Sequence, residues 1–213
     1  MKKIVSLFLV LIISLMALTS CGEFEYDEAE VKAAAKELIE NSKMLNDIYW
    51  GDGIMYYEDK NTSDGVYYRA LETHHYVMGF QTIDELKALT EKTFSSGYCA
   101  NIYSTILTSV QDGDKAIILS RYYQKYNVKD GVTPEYIMVN SSWTKILYGE
   151  VTYDYDSIKV TGSEDETVFV TVNATVTLDD LEPQTREIRI SLVKEDAGWR
   201  IDSPTYLNYV KSN

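Results

Sequence analysis

The histidines, the thiols and the carboxylates set what chemistry this chain could perform. His74 and His75 are its two histidines, and they are adjacent. The run around them, 66–78, reads as a strand, where neighbouring side chains point to opposite faces. Two such imidazoles cannot share a metal ion without a bulge, so one packed and one surface histidine is the expectation. Cys99 stands on the apolar stripe of a predicted helix, with no histidine at a readable spacing. A buried structural thiol follows, because a reactive one needs an electropositive, partly exposed site. Two carboxylate clusters fall in predicted turns: Glu164, Asp165 and Glu166, then Asp179, Asp180 and Glu182. Both suit solvated loops, and neither has the spacing of a calcium loop. In the second, Leu181 offers an apolar anchor and Pro183 stiffens the chain. Asp179, Asp180, Leu181 and Glu182 are therefore the candidate partner-binding residues of a protruding loop. The chain has no zinc-protease helix motif, no glycine-rich phosphate loop and no serine-nucleophile elbow. A protein without catalytic residues, metal or cofactor is expected.

The other chemistry lies at the N-terminus. Lys2 and Lys3 precede an apolar run from Ile4 to Leu18, broken only by Ser6 and Ser14. Basic start, short apolar core and small residues describe an export signal. The run is marginal for a permanent membrane span. Leu18, Thr19, Ser20 and Cys21 resemble a bacterial lipobox, which implies cleavage before Cys21 and attachment of a diacylglycerol to it. Residues 1–20 are then a lipoprotein signal peptide, 21–26 a short tether and 27–213 a single α+β domain. The expected address is extracytoplasmic, held to the cell membrane by lipid; two or more acyl chains make such anchoring stable. With Cys21 acylated, Cys99 is the one remaining thiol, so no internal disulfide forms.

The elements that must position these groups follow from periodicity. Asp27–Tyr49 reads as a helix with Val31, Ala35, Leu38, Ile39, Leu45, Ile48 and Tyr49 on one stripe. Gly51 and Gly53 end it. Ile54–Tyr57 and 66–78 read as strands, joined through the hairpin signal Asp64–Gly65. Thr82 and Glu85 form a capping box before a second helix to Phe94. Tyr98–Val110 reads as a third helix. Strands are expected over Lys115–Tyr126, Tyr136–Leu147 and Glu150–Val160. From Val168 to Asp202 three runs of period two, separated by turn residues, read as an antiparallel meander with one buried face.

The chain has 213 residues, 45% of them apolar, and a formal charge of −13 from 33 acidic and 20 basic side chains. That is a globular composition with enough length for one sizeable core. Nucleic acid is excluded as a natural partner, because phosphate binding needs an excess of Lys and Arg. A basic protein or cationic polymer suits the charge better.

The closing Gly198, Trp199, Arg200, Ile201 and Asp202 resemble the last strand of the nuclear-transport-factor-like and cystatin-like group of α+β folds. Tyr68 and Arg69, Phe80 to Glu85, and Phe94 with Tyr98 resemble a segment of the bacterial cell-wall D,L-endopeptidase inhibitor family. The resemblance implies a curved antiparallel sheet packed on N-terminal helices. It also implies an exported protein of Gram-positive bacteria that blocks a cell-wall hydrolase. No inhibitory residue can be matched. The reading is a monomeric, lipid-anchored binding protein that inhibits or regulates such a hydrolase. The alternative is a small-ligand or glycan-binding module with a pocket in the curved sheet. An enzyme of the same broad fold would need His74 or His75 and a carboxylate to face one pocket.

Overall fold

The computed structural model describes residues 24–112, 116–147, 149–179 and 181–208. The expected signal peptide, Cys21, Lys115 and Asp180 lie outside the described residues. Helix α1 spans Glu28–Trp50. It starts where expected, because the Asp27 carboxylate accepts the free N–H groups of Ala29 at 2.7 Å and Glu30 at 3.2 Å. The whole predicted stripe from Val31 to Tyr49 is buried. Strands β1, Ser63–Asp64, and β2, Tyr67–Arg69, form a hairpin whose turn uses Gly65 at φ 63. Helix α2, Glu72–Val77, α3, Ile83–Thr93, and α4, Ser96–Ile106, follow. The Thr82–Glu85 capping box is present.

Strands β3, Val110–Asp112, and β4, Ala116–Ile118, make a two-stranded ribbon. Strands β5, Tyr122–Tyr126, and β6, Pro134–Asn140, join β1 and β2 in a sheet of order β1-β2-β6-β5. The meander closes the chain: β7, Glu150–Glu164, β8, Thr167–Thr177, β9, Gln184–Glu195, and β10, Gly198–Ile201, in order β10-β9-β8-β7. The fold is α+β, with antiparallel sheets and helices packed against one of them. Register shifts in β7 between Asp154 and Lys159 and between Val160 and Gly162 mark bulges, which bend a strand. The inner face of the meander, Val168, Val170, Val172, Ile190 and Leu192, shares one core with Val31, Ala35 and Ile39 of α1. Burial of each such aliphatic side chain is worth about 1.5–3 kcal/mol.

Several strand expectations are corrected. Only Tyr67–Arg69 of 66–78 is strand. The Leu71 N–H leaves the ladder for the Met55 carbonyl at 2.7 Å, and the Leu71 carbonyl then accepts from His74 and His75. Both histidines therefore sit on α2. Ile54–Tyr57 makes one isolated bridge, Tyr56 to Ala70. The expected strand 115–126 is broken at Leu119–Arg121, because the Arg121 N–H pairs with the Ile106 carbonyl and Ser120 N–H with the Ser109 hydroxyl. The strand expected to reach Leu147 stops at Asn140, since Ile146 and Leu147 donate instead to the Trp50 carbonyl, each at 2.9 Å. The third helix ends at Ile106, and Val110 begins a strand.

Candidate functional site

The C-terminal end of α1 opens into a cleft of about 830 Å³. The last turns of the helix bring Lys43, Asn46 and Asp47 to it; Gly51 and Asp52 follow as its floor. One side is formed by Lys145, Leu147 and Gly149, and the Ile146 and Leu147 N–H groups bond to the Trp50 carbonyl there. The opposite wall comes from Glu150, Val151 and Tyr153 on β7 and from Thr177, Leu178 and Asp179 at the end of β8. Tyr206 closes one side and lies 6.4 Å from the Trp50 ring. It is placed by Thr205, whose hydroxyl accepts from Asn46 Nδ2 at 2.8 Å and bonds Ser42 Oγ at 2.8 Å. Gly149 is required here. Its φ is 88, and a Cβ would stand 2.5 Å from the Thr177 carbonyl oxygen.

The site is electrically uneven. Asp52 pairs with Lys145 at 2.6 Å, and Lys43 with Glu40 at 3.5 Å. Asp47 Oδ1 accepts the Asp52 N–H at 3.0 Å. Burial pushes the Asp47 carboxyl above the usual carboxylate range; the Asp52 N–H opposes that shift, the Asp52 charge adds to it, and Arg121 and His74 offset part of it. Beneath the floor lies Arg121, only 4% exposed. Its Nη2 donates to the Gly51 carbonyl at 2.8 Å, while its Nη1 has no hydrogen-bond partner among the described residues. The last turn of α1 has no basic residue of its own, so Arg121 places the positive charge that the negative helix end favours. Tyr122 donates to the Ile48 carbonyl at 2.7 Å and fixes the same turn.

Of the candidate partner-binding residues, Asp179 lines this cleft, in the left-handed region at φ 39. Leu181 is 44% exposed, with its N–H turned back to the Leu178 carbonyl at 3.0 Å. Ile146, between the lining residues Lys145 and Leu147, is 49% exposed. Glu182 is exposed beyond Leu181. The other acidic cluster sits at the far end of the same sheet, in the β7–β8 turn, where Asp165 has φ 51. The cleft wall includes neither histidine. His75 is packed, with Nδ1 3.0 Å from the Phe80 carbonyl, and half-buried His74 accepts the Met55 N–H at 3.3 Å. Cys99 is buried as its stripe implies, and burial pushes its thiol up to about 11. Among the described residues no group of three His, Cys, Asp or Glu could hold a metal ion, and no helix is long and apolar enough to cross a membrane.

Asp47, Asp52, Lys145, Glu150 and Tyr206 were not among the expected site residues. Gly51–Asp52–Gly53 reads as a helix stop and Gly149–Glu150 as a turn; no local pattern says that the two meet. The residues that carry the family resemblance are scaffold. Tyr68 and Arg69 are in β2, Phe80 is core, Thr82–Glu85 caps α3, and the Phe94 and Tyr98 rings lie 5.1 Å apart. No family model matches this chain, and neither a curated protein nor a solved structure is found to be similar to it.

Proposed function

We propose that this chain is a non-catalytic, extracytoplasmic binding protein, lipid-anchored through Cys21, that engages a protein partner at the cleft. The observation that carries this is a pair of exposed apolar side chains next to the cleft in the chain. Ile146 lies between the lining residues Lys145 and Leu147, and Leu181 lies two residues after the lining residue Asp179. Large apolar side chains exposed around a concave site are an ordinary mark of protein association. Each is already about half covered, so what remains to be buried on binding is worth about 1 kcal/mol, or roughly fivefold in affinity. The acidic walls favour a partner with basic groups. The partner class implied by the resemblance is a cell-wall hydrolase, which the bound protein would inhibit or regulate.

The experiment is capture from solubilised envelope with residues 22–213 as bait, at low and high salt, alongside the double variant Leu181→Asp, Ile146→Asp. A hydrolase retained by the parent, released by salt and lost by the variant supports the reading. Capture of no hydrolase, or equal capture by both baits, defeats it. A second reading has its own observation. The volume lies within the range of small-molecule sites, and Leu147, Leu178 and Tyr206 give the cleft an apolar side. A small ligand or glycan would then raise the melting temperature of the parent. The inner face of the meander packs against α1, so this reading places the ligand in the cleft at the helix end.

A further inference from the structure

We infer that the cleft is held at the end of the domain opposite the lipid anchor, so that its partner is a protein approaching from the side away from the bilayer and not a lipid headgroup. This rests on the anchored-binding-protein reading above. The attachment end is fixed by Phe24, whose ring meets Trp199 edge-on at 6.1 Å. Trp199 Nε1 donates to Glu30 at 2.8 Å, and Lys194 pairs with the same carboxylate at 3.2 Å. The chain coming from Cys21 therefore joins the fold beside the β9–β10 turn. From Cys21 to Phe24 it reaches at most about 11 Å.

Two elements measure the distance from there to the cleft. Strand β8 begins at this end, where Thr167 pairs with Val193, and ends at Thr177 in the cleft wall. At 3.3 Å per residue that is roughly 33 Å. Helix α1 runs the same way, from Glu30 beside Trp199 to Asp47 in the cleft. Its rise over that stretch is about 26 Å. Both exceed the tether's reach and the screening length of about 8 Å at physiological ionic strength.

Electrostatics then selects the orientation. The Phe24 end is itself acidic, with Glu30, Asp165, Glu166, Glu195 and Asp196, but the tether keeps it near lipid in every orientation, so only the cleft end can move. That end carries Asp47, Asp52, Glu150 and Asp179 against Lys43 and Lys145. An anionic leaflet repels it, and the domain stands with the cleft outward.

The test uses the acylated full-length protein on anionic vesicles whose headgroups carry a fluorescence acceptor. Donor dyes are placed on Asp196→Cys, in the β9–β10 turn, or on Thr177→Cys; native Cys99 is buried and stays unlabelled. Energy transfer at least fivefold stronger from position 196 than from 177 is expected. The ratio should fall at least twofold at high salt. Equal transfer from the two positions, stronger transfer from 177, or a ratio indifferent to salt overturns the inference. Flotation separates the failures: protein that does not float with the vesicles defeats the anchored reading, whereas protein that floats with equal transfer defeats the orientation alone. Unacylated Cys21→Ser protein should not bind the same vesicles, and binding by it would make the headgroup a ligand and overturn the inference.

Discussion

Replacing Arg121 by Met tests whether the cleft floor depends on a buried cation under the helix end. The substitution keeps most of the side-chain volume and removes the guanidinium. Besides its attraction for Asp47 and its contact with the Tyr122 ring, two favourable interactions at the helix end disappear. The hydrogen bond from Nη2 to the Gly51 carbonyl, 2.8 Å and charge-assisted, is worth about 1.5–3 kcal/mol. The charge at the C-terminus of α1 adds about 1–2 kcal/mol in a buried geometry. One unfavourable feature disappears with them: the buried Nη1, without a partner among the described residues, costs about 1–3 kcal/mol. The net expectation is a loss of about 2 kcal/mol, or roughly 4–8 °C in melting temperature for a domain of this size. Urea unfolding of parent and variant should give the lower midpoint with an unchanged slope.

The location of the loss is the sharper readout. Amide exchange should accelerate at the end of α1, at the Gly51 and Gly53 N–H groups bound to the Asp47 carbonyl, before it does in β8. Arg121→Lys keeps the charge and loses the fork, so it should restore part of the stability. A Met variant as stable as the parent would show that desolvation cancels the interaction, as it does for some buried ion pairs. Uniform loss of protection across the fold would show that Arg121 serves general packing and not the cleft floor.

Three further outcomes are expected. Burial raises the Asp47 carboxyl, so the folded state binds a proton more readily there than the unfolded chain, and the stability it contributes is lost as pH rises through its raised value. Asp47→Asn should therefore gain on the parent between about pH 4 and pH 7 in parallel urea titrations; a gap that shrinks with rising pH refutes this. Gly149→Ala should cost about 2–4 kcal/mol, from a left-handed backbone and a Cβ driven against the Thr177 carbonyl, and an unchanged melting temperature would deny that the β7 and β8 ends are closely packed at the cleft. Cys99 should react with a thiol reagent at pH 8 at least a hundredfold more slowly in the folded protein than in urea, because its thiol is both buried and pushed up to about 11.

What the sequence disclosed divides along physical lines. Helix α1 and the meander were legible because one period runs through each, 3.6 residues from Val31 to Tyr49 and two residues from Val168 to Ile201. The capping box at Thr82 and the hairpin turn at Gly65 were legible because a short-range bond fixes each. The region around His74 was not. Its Tyr and Val content favours strand, yet the competition between Met55 and β6 for the Leu71 and Ala70 N–H groups decides where the ladder ends. The break at Arg121 was hidden because its N–H goes to the distant Ile106 carbonyl while its own carbonyl accepts the Asn140 N–H. Of the site, the Asp179–Glu182 loop could be singled out as a turn bearing an apolar anchor. That Asp179 lines a cleft could not, because the bonds that hold Lys145 and Leu147 there come from the distant Trp50 carbonyl.

The two carboxylate clusters make the same point about function. By composition they are alike: three acids each, each in a turn of the meander. The fold puts them at opposite ends of β8. Asp165 and Glu166 cap a tight turn at the β9–β10 end of the sheet, with solvent around them. Asp179 lines the same cleft as Asp47 and Asp52, at a helix C-terminus whose own partial charge is negative. Such a concentration of negative potential is costly to hold in a concave site, and the fold meets part of the cost from below with Arg121 and from the rim with Lys145. A surface built only for solubility has no use for a buried arginine under a carboxylate-lined cleft. Charge that merely solvates a turn and charge held in a shaped cavity are distinguished by what the backbone and the buried cation do around them, and that difference makes the Asp179 end the site to test.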